Sequence, residues 1–194
     1  VTDPSDASTE RPLADVTDAP EVLETERVFE GRVWDVVRER FAFGDHELVR
    51  EFTNHPGAVA ILARDENDRV LVINQYRHPV GLRIWELPAG LLDVPDEDPL
   101  AAAKRELAEE VDLAAEEWTE LISFATSPGG SSEFITVFEA RGLSPVPAFL
   151  RTEEEAEIEV RWVELDELVE AALDGRLHNS ILLIAVLAAH AKRR

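Results

Sequence analysis

The chain has 194 residues, 45% of them hydrophobic, no cysteine, and 41 acidic against 19 basic side chains, for a net charge of −22. That apolar content excludes global disorder, and the missing thiol excludes disulfides, zinc–thiolate sites and a cysteine nucleophile. The charge excludes a general nucleic-acid binder, which needs a basic footprint, yet leaves room for a small anionic substrate held by metal ions and a few arginines.

Residues 1–20 are acidic, lack apolar periodicity and are broken by Pro4, Pro12 and Pro20. They are expected to form a disordered tail and do not read as a signal peptide. Residues 21–54 alternate apolar and polar positions, with Gly31 and Gly44 as punctuation, which predicts a small antiparallel β element. Ala58 to Ala63 and Val70 to Asn74 are apolar runs around the turn Arg64 to Arg69, and predict a hairpin of two buried strands. Residues 84–88 give another short strand.

A helix is predicted over 99–112, with Asp98 as N-cap, Pro99 at its first position, and Leu100, Ala103, Leu107 and Val111 as its core face. Strands near 118–125, 133–140 and 157–164 follow, then helices over 165–174 and 179–192 separated by Gly175. This order predicts an α/β fold (of the α+β kind), a sandwich around a mixed sheet. The domain occupies 55–194, preceded by the tail and the N-terminal β element. The apolar run Ile181 to Ala189 is too short for the roughly 20 residues of a membrane span, so a cytoplasmic protein without membrane partners is expected. Its apolar faces predict burial on most sides, against a second copy in a homodimer; a core helix in a monomer is the alternative.

The chemistry concentrates on the 99–112 helix. Glu106 and Glu110, four residues apart, are like charges on adjoining turns that repel each other, and Glu109 adds a third carboxylate. Hard oxygens clustered in this way suit Mg²⁺ or Mn²⁺ together with substrate phosphate. The alternative is a solvated acidic face. The five histidines form no zinc motif, and Trp34, Trp85, Trp118 and Trp162 read first as core residues.

Gly90, Glu97, Arg105, Glu106, Leu107, Glu109, Glu110 and Leu113 resemble the Nudix box, G-x5-E-x7-R-E-U-x-E-E-x-G-U. There are two departures: six residues rather than five follow Gly90 before Glu97, and Asp112 stands where the box has its second glycine. Asp enters the left-handed region at modest cost, so it can replace that glycine. The resemblance implies a Nudix-type α/β/α sandwich. It implies Glu106 and Glu110 as metal ligands, Glu109 as ligand or supporting group, and the Ala89 carbonyl as a further ligand. Arg105 and Glu97 would orient the loop and helix. About two or three ions would act with substrate bound.

Gln75-Tyr76-Arg77, Trp85 to Gly90 and Ser127 to Glu133 look like the ADP-ribose pyrophosphatase branch, and Pro128 lies 15 residues past Leu113, as a proline does there. That branch implies hydrolysis of ADP-ribose to AMP and ribose 5-phosphate, with GDP-mannose or another nucleotide sugar as the alternative substrate. A non-catalytic nucleotide sensor is the reading from a different class. Arg77, Glu86, Trp34, Pro128 and Gly129 become candidate substrate contacts. The water-activating base is expected on a loop ahead of the late strand, at Glu155, with Glu154, Glu157 and Glu133 as alternatives.

Overall fold

The computed structural model describes residues 12–149 and 158–193. Residues 12–20 form neither helix nor strand and are exposed; residues 1–11 of the expected tail lie outside the described residues.

The N-terminal element is an antiparallel sheet of β1 (Val22–Phe29), β2 (Asp35–Phe43) and β3 (His46–Asn54), in that order. A two-residue turn joins β2 to β3, with Gly44 at φ 60, a value glycine adopts without steric cost. β1 is exposed at all eight positions. Across the three strands only Val37 is buried. Arg38 pairs with Glu26 and Glu51, and Arg40 with Glu24 and Glu47, linking the strands on the outer surface.

The expected hairpin of two buried strands is corrected by the structure. β4 (Ala58–Ala63) and β5 (Arg69–Arg77) belong to different sheets, with an isolated bridge between Arg64 and Val70 at the turn that connects them. β4 runs parallel to β9 (Phe134–Pro145) and antiparallel to β7 (Ala89–Leu91). β5 lies between β6 (Leu82–Glu86) and β10 (Glu159–Glu164). The Ile61 N–H donates to the Pro88 carbonyl, so the chain passing from β6 to β7 takes the edge of β4 that a hairpin partner would have used. The central layer is thus a mixed sheet ordered β7-β4-β9-β8, with β8 spanning Leu113–Ala125, beside an antiparallel sheet ordered β10-β5-β6.

Helices cover this layer on both sides. α1 (Pro99–Val111) packs Ala102, Ala103 and Leu107 on Val59, Ile61, Ala63, Leu71 and Ile73. α2 (Leu165–Leu173) and α3 (Ser180–Lys192) close the opposite face over Ala58, Ala60, Leu62, Val70 and Val72. Alternate residues point to opposite faces, so β4 and the first half of β5, through Ile73, are buried on both sides. The result is the α/β/α sandwich.

α3 is capped by the Asn179 side chain, which accepts the Leu182 N–H. It buries Leu182, Ala185, Val186 and Ala189 on one face. Within the chain it is not covered on most sides, because Leu183 and Ile184 are half-buried and Leu187 is exposed.

Candidate active site

The Asp98 side chain accepts the Leu100 and Ala101 N–H groups and Pro99 opens the helix, which fixes where α1 begins. At its other end Asp112 adopts φ 56, the left-handed conformation expected where the motif calls for glycine, and its N–H returns to the Ala108 carbonyl. Between these ends Arg105, Glu106, Glu109 and Glu110 occupy neighbouring turns.

Arg105 organises this surface. Its Nε and Nη2 donate to the two Glu97 oxygens at 3.1 and 3.0 Å, tying the loop after β7 to the helix. Its Nη1 donates to Glu106 Oε1 at 2.6 Å and to Glu109 Oε2 at 3.2 Å. The Arg105 bond holds the Glu97 carboxyl below the ordinary carboxylate range. Glu106 shifts upward: burial penalises its charge, and the nearby Glu109 and Asp93 carboxylates add to that against the pull of Arg105.

Gly90 is required for space. A Cβ placed there would lie 2.0 Å from both Cδ and Oε1 of Glu106, so the carboxylate sits directly against the glycine backbone. One residue earlier, the Ala89 N–H donates to Glu110 Oε2 at 3.0 Å. The structure therefore sets Glu106 against Gly90 and Glu110 against the neighbouring Ala89 N–H. Among the described residues no three acidic or histidine side chains are placed to hold an ion, since Glu106 and Glu110 face Arg105 and the Ala89 N–H. The donor chemistry nonetheless fits a hard divalent cation, with carboxylate oxygens gathered at a main-chain cradle and one of them desolvated at a cost that a cation would offset.

A cleft of about 550 Å³ opens beside this point, lined by Ala89, Gly90 and Leu91 on one wall and by Arg77, Glu86, Glu133 and His55 elsewhere. Arg77 and Glu86 are both in it, but they bind each other: the Arg77 Nε and Nη2 donate to the two Glu86 oxygens at 2.9 and 2.6 Å. Gln75 donates a further bond to Glu86 at 3.1 Å. The β5–β6 register places these three side chains on one face. Glu86, a candidate substrate contact, is buried, with a guanidinium and an amide as partners.

The other expected contacts are dispersed. Trp34 lines a separate cleft of about 510 Å³ with Asp93, Asp96 and Glu97. Its side is 44% exposed, so it is not part of the chain's core. Pro128 and Gly129 line a third cleft of about 410 Å³ with Arg50, Glu51 and Phe52 of β3, away from Ala89 and Gly90. Glu153, Glu154, Glu155 and Glu157 lie outside the described residues, whereas Glu133 is in the main cleft. Sequence reasoning passed over His55, which lines both the first and second clefts. A lone histidine outside any spacing motif carries no signal of its own; only its neighbour in space, 78 positions on, gives it a role.

The NUDIX domain model matches residues 53–183. An ADP-ribose pyrophosphatase of Mycobacterium tuberculosis is 41% identical over 172 residues, which is 88% of this chain and 83% of that protein. A methanol dehydrogenase activator of Bacillus methanolicus is 36% identical over 165 residues, covering 84% and 89%. The crystal structure of an ADP compounds hydrolase superposes with a TM-score of 0.74 at 22% identity, over 92% of this chain and 96% of that one, a likeness that speaks to the fold.

Proposed function

The chain belongs to the Nudix hydrolase family, and from that premise we propose that it hydrolyses the diphosphate of ADP-ribose to AMP and ribose 5-phosphate. The observation that carries this reading is the seating of Glu106 against Gly90, beside a cleft that also holds the Arg77–Glu86 pair. The similarity to an ADP-ribose pyrophosphatase over most of both chains supports the substrate.

Mg²⁺ or Mn²⁺ is the cofactor in this reading, held by Glu106, Glu110 and the Ala89 carbonyl, with Glu109 as a further ligand or support. Once bound, the cation neutralises diphosphate charge and makes water a better nucleophile. The protein's own part is orientation. Arg105 holds Glu97, Glu106 and Glu109 in a fixed arrangement, so the acidic face is set before substrate arrives. Arg77 presents a guanidinium to the cleft, and its pairing with Glu86 fixes the direction of that fork. A carboxylate takes the proton from water, Glu155 being the first choice and Glu133, Glu154 and Glu157 the others. No covalent intermediate is needed.

The working protein in this reading is a cytoplasmic homodimer. Val22, Leu23, Val28 and Phe29 of β1 are exposed, as is Leu187 of α3, and a partner would cover such surface. No described helix is long and apolar enough to cross a membrane. The test is incubation with ADP-ribose, GDP-mannose, NADH and diadenosine polyphosphates in the presence of Mg²⁺, with product identification. AMP and ribose 5-phosphate from ADP-ribose, formed faster than products from the rest, is the expected result. Preference for GDP-mannose would move the substrate, and inertness toward all four would remove the hydrolase reading.

A further inference from the structure

His55 stands in the short segment between β3 and β4, where the N-terminal sheet joins the layered domain. Three contacts fix it. Its N–H donates to the Ser132 hydroxyl oxygen at 2.9 Å. Its Nδ1 accepts the Gly57 N–H at 3.1 Å, which places the ring proton on Nε2. That Nε2 faces Glu133 Oε1 at 3.5 Å. The other Glu133 oxygen accepts the Thr126 hydroxyl at 2.5 Å, and the Glu133 N–H donates to Ser131 Oγ at 3.1 Å. The loop that carries Glu133 is also stitched to β3, since the Thr53 N–H donates to the Gly130 carbonyl and the Ser132 N–H to the Thr53 carbonyl.

A glutamate on a loop has several rotamers, and a carboxylate that must meet a substrate gains from having one. Glu133 is gripped from both sides, by a hydroxyl of its own loop and by a ring from the opposite segment. Only 10% of the His55 side chain is exposed, so the ring has little room to turn away. The grip faces the cleft that holds Arg77, Glu86, Ala89 and Gly90.

We propose that His55 is a positioning residue of the substrate cleft: its Nε2–H, fixed by Gly57, holds the Glu133 carboxylate as an acceptor for substrate hydroxyl groups of the ribose class. The proposal deepens the ADP-ribose reading and rests on it for its kinetic consequences, though not for the pairing itself. A contact of this kind acts on the bound ground state as much as on the transition state, so its loss raises KM and leaves kcat nearly unchanged.

The test has two arms, both on the full chain. Nitrogen NMR of labelled imidazole reads the pairing without substrate. The expected state of His55 is the Nε2–H form, with an Nε2 resonance that moves when Glu133→Gln removes the charge. An Nδ1–H form, or a resonance indifferent to Glu133→Gln, would overturn the proposal even if other variants failed to fold. The kinetic arm compares His55→Leu, His55→Gln, Glu133→Gln and the double variant His55→Leu with Glu133→Gln. Loss of the 3.5 Å contact between the ring and the Glu133 carboxylate should raise KM for ADP-ribose roughly threefold to tenfold in His55→Leu, with kcat within about threefold. The amide donor of His55→Gln should bring KM back to within about threefold of wild type. In the Glu133→Gln background His55→Leu should add less than about twofold, because coupled residues are not additive. An equal penalty in both backgrounds would show that His55 acts elsewhere and overturn the proposal. Inertness of the wild-type protein toward ADP-ribose would count against the substrate reading alone, and the NMR arm would still decide the pairing.

Discussion

The N-terminal sheet and the layered domain that follows it are both built on β-strands but hold together by different means. In the layered domain, β4 and the first half of β5 are buried on both faces, and two apolar clusters lie between the strands and their helices. In the N-terminal sheet one residue, Val37, is buried, and the strands are linked by backbone pairing and by exposed arginine–glutamate bridges. Burial contributes about 25 cal/mol per Å² of apolar area and is indifferent to moderate salt. Exposed ion pairs contribute little and weaken as salt is added. The lesson is that residues 22–54 have the hydrogen bonds of a sheet without the core of one, and need another surface to become a stable unit.

Substitutions can break or sharpen this contrast. The largest effect belongs to the point where the layered domain spends stability on chemistry. Glu106→Gln and Glu110→Gln should each lower turnover by about 10² or more, measured at saturating Mg²⁺. Glu106→Gln should leave the metal-free protein at least as stable as wild type near neutral pH. The sign follows from its raised pKa: the folded state favours the protonated carboxyl, so stability declines as pH rises through the window between the unfolded and folded values. A Glu106→Gln protein that melts well below wild type would mean that this carboxylate stabilises the fold.

Truncation of apolar side chains in the two regions sharpens the comparison directly. Leu107→Ala, in the fully buried face of α1, should cost about 2–5 kcal/mol in denaturant unfolding. Val28→Ala on β1 should cost less than about 0.5 kcal/mol in the monomer. A larger Val28 penalty that appears only at high protein concentration would locate the missing surface in a second copy. Smaller than the Leu107 effect is Gly90→Ala. Its methyl group would overlap the Glu106 carboxylate, and displacement of that side chain should cost about 1–3 kcal/mol and a larger share of activity. Arg38→Ala and Arg40→Ala should each change stability by less than about 0.5 kcal/mol, a difference that vanishes as salt is raised.

The same contrast governs what could be read from the chain beforehand. Local signals were legible. Asp98-Pro99 set the start of α1, and Asp112 took the left-handed position at its end. The clustering of Glu106 and Glu110 also followed from spacing, because they lie four apart on one helix, whereas the part of Ala89 and Gly90 came from the resemblance to the motif. Strand partnership was not legible. Ala58 to Ala63 and Val70 to Asn74 are apolar throughout, and a strand buried on both faces names no partner. The pairing of Arg77 with Glu86 depends on the β5–β6 register, and that of His55 with Glu133 on a contact between distant segments, so neither appears in any single window of sequence. The outer face of α3 has the same limit: an all-apolar helix reports that it is covered, without saying whether by its own chain.

The most direct test of the central claim, that the Glu106–Glu110 face of α1 performs metal-assisted cleavage of a diphosphate, is phosphorus NMR of ADP-ribose incubated with the wild-type, Glu106→Gln and Glu110→Gln proteins, with Mg²⁺ and with chelator. The expected result is conversion to AMP and ribose 5-phosphate by the wild-type protein with Mg²⁺ alone. Cleavage that persists at an undiminished rate in chelator, or in both glutamine variants, would contradict it.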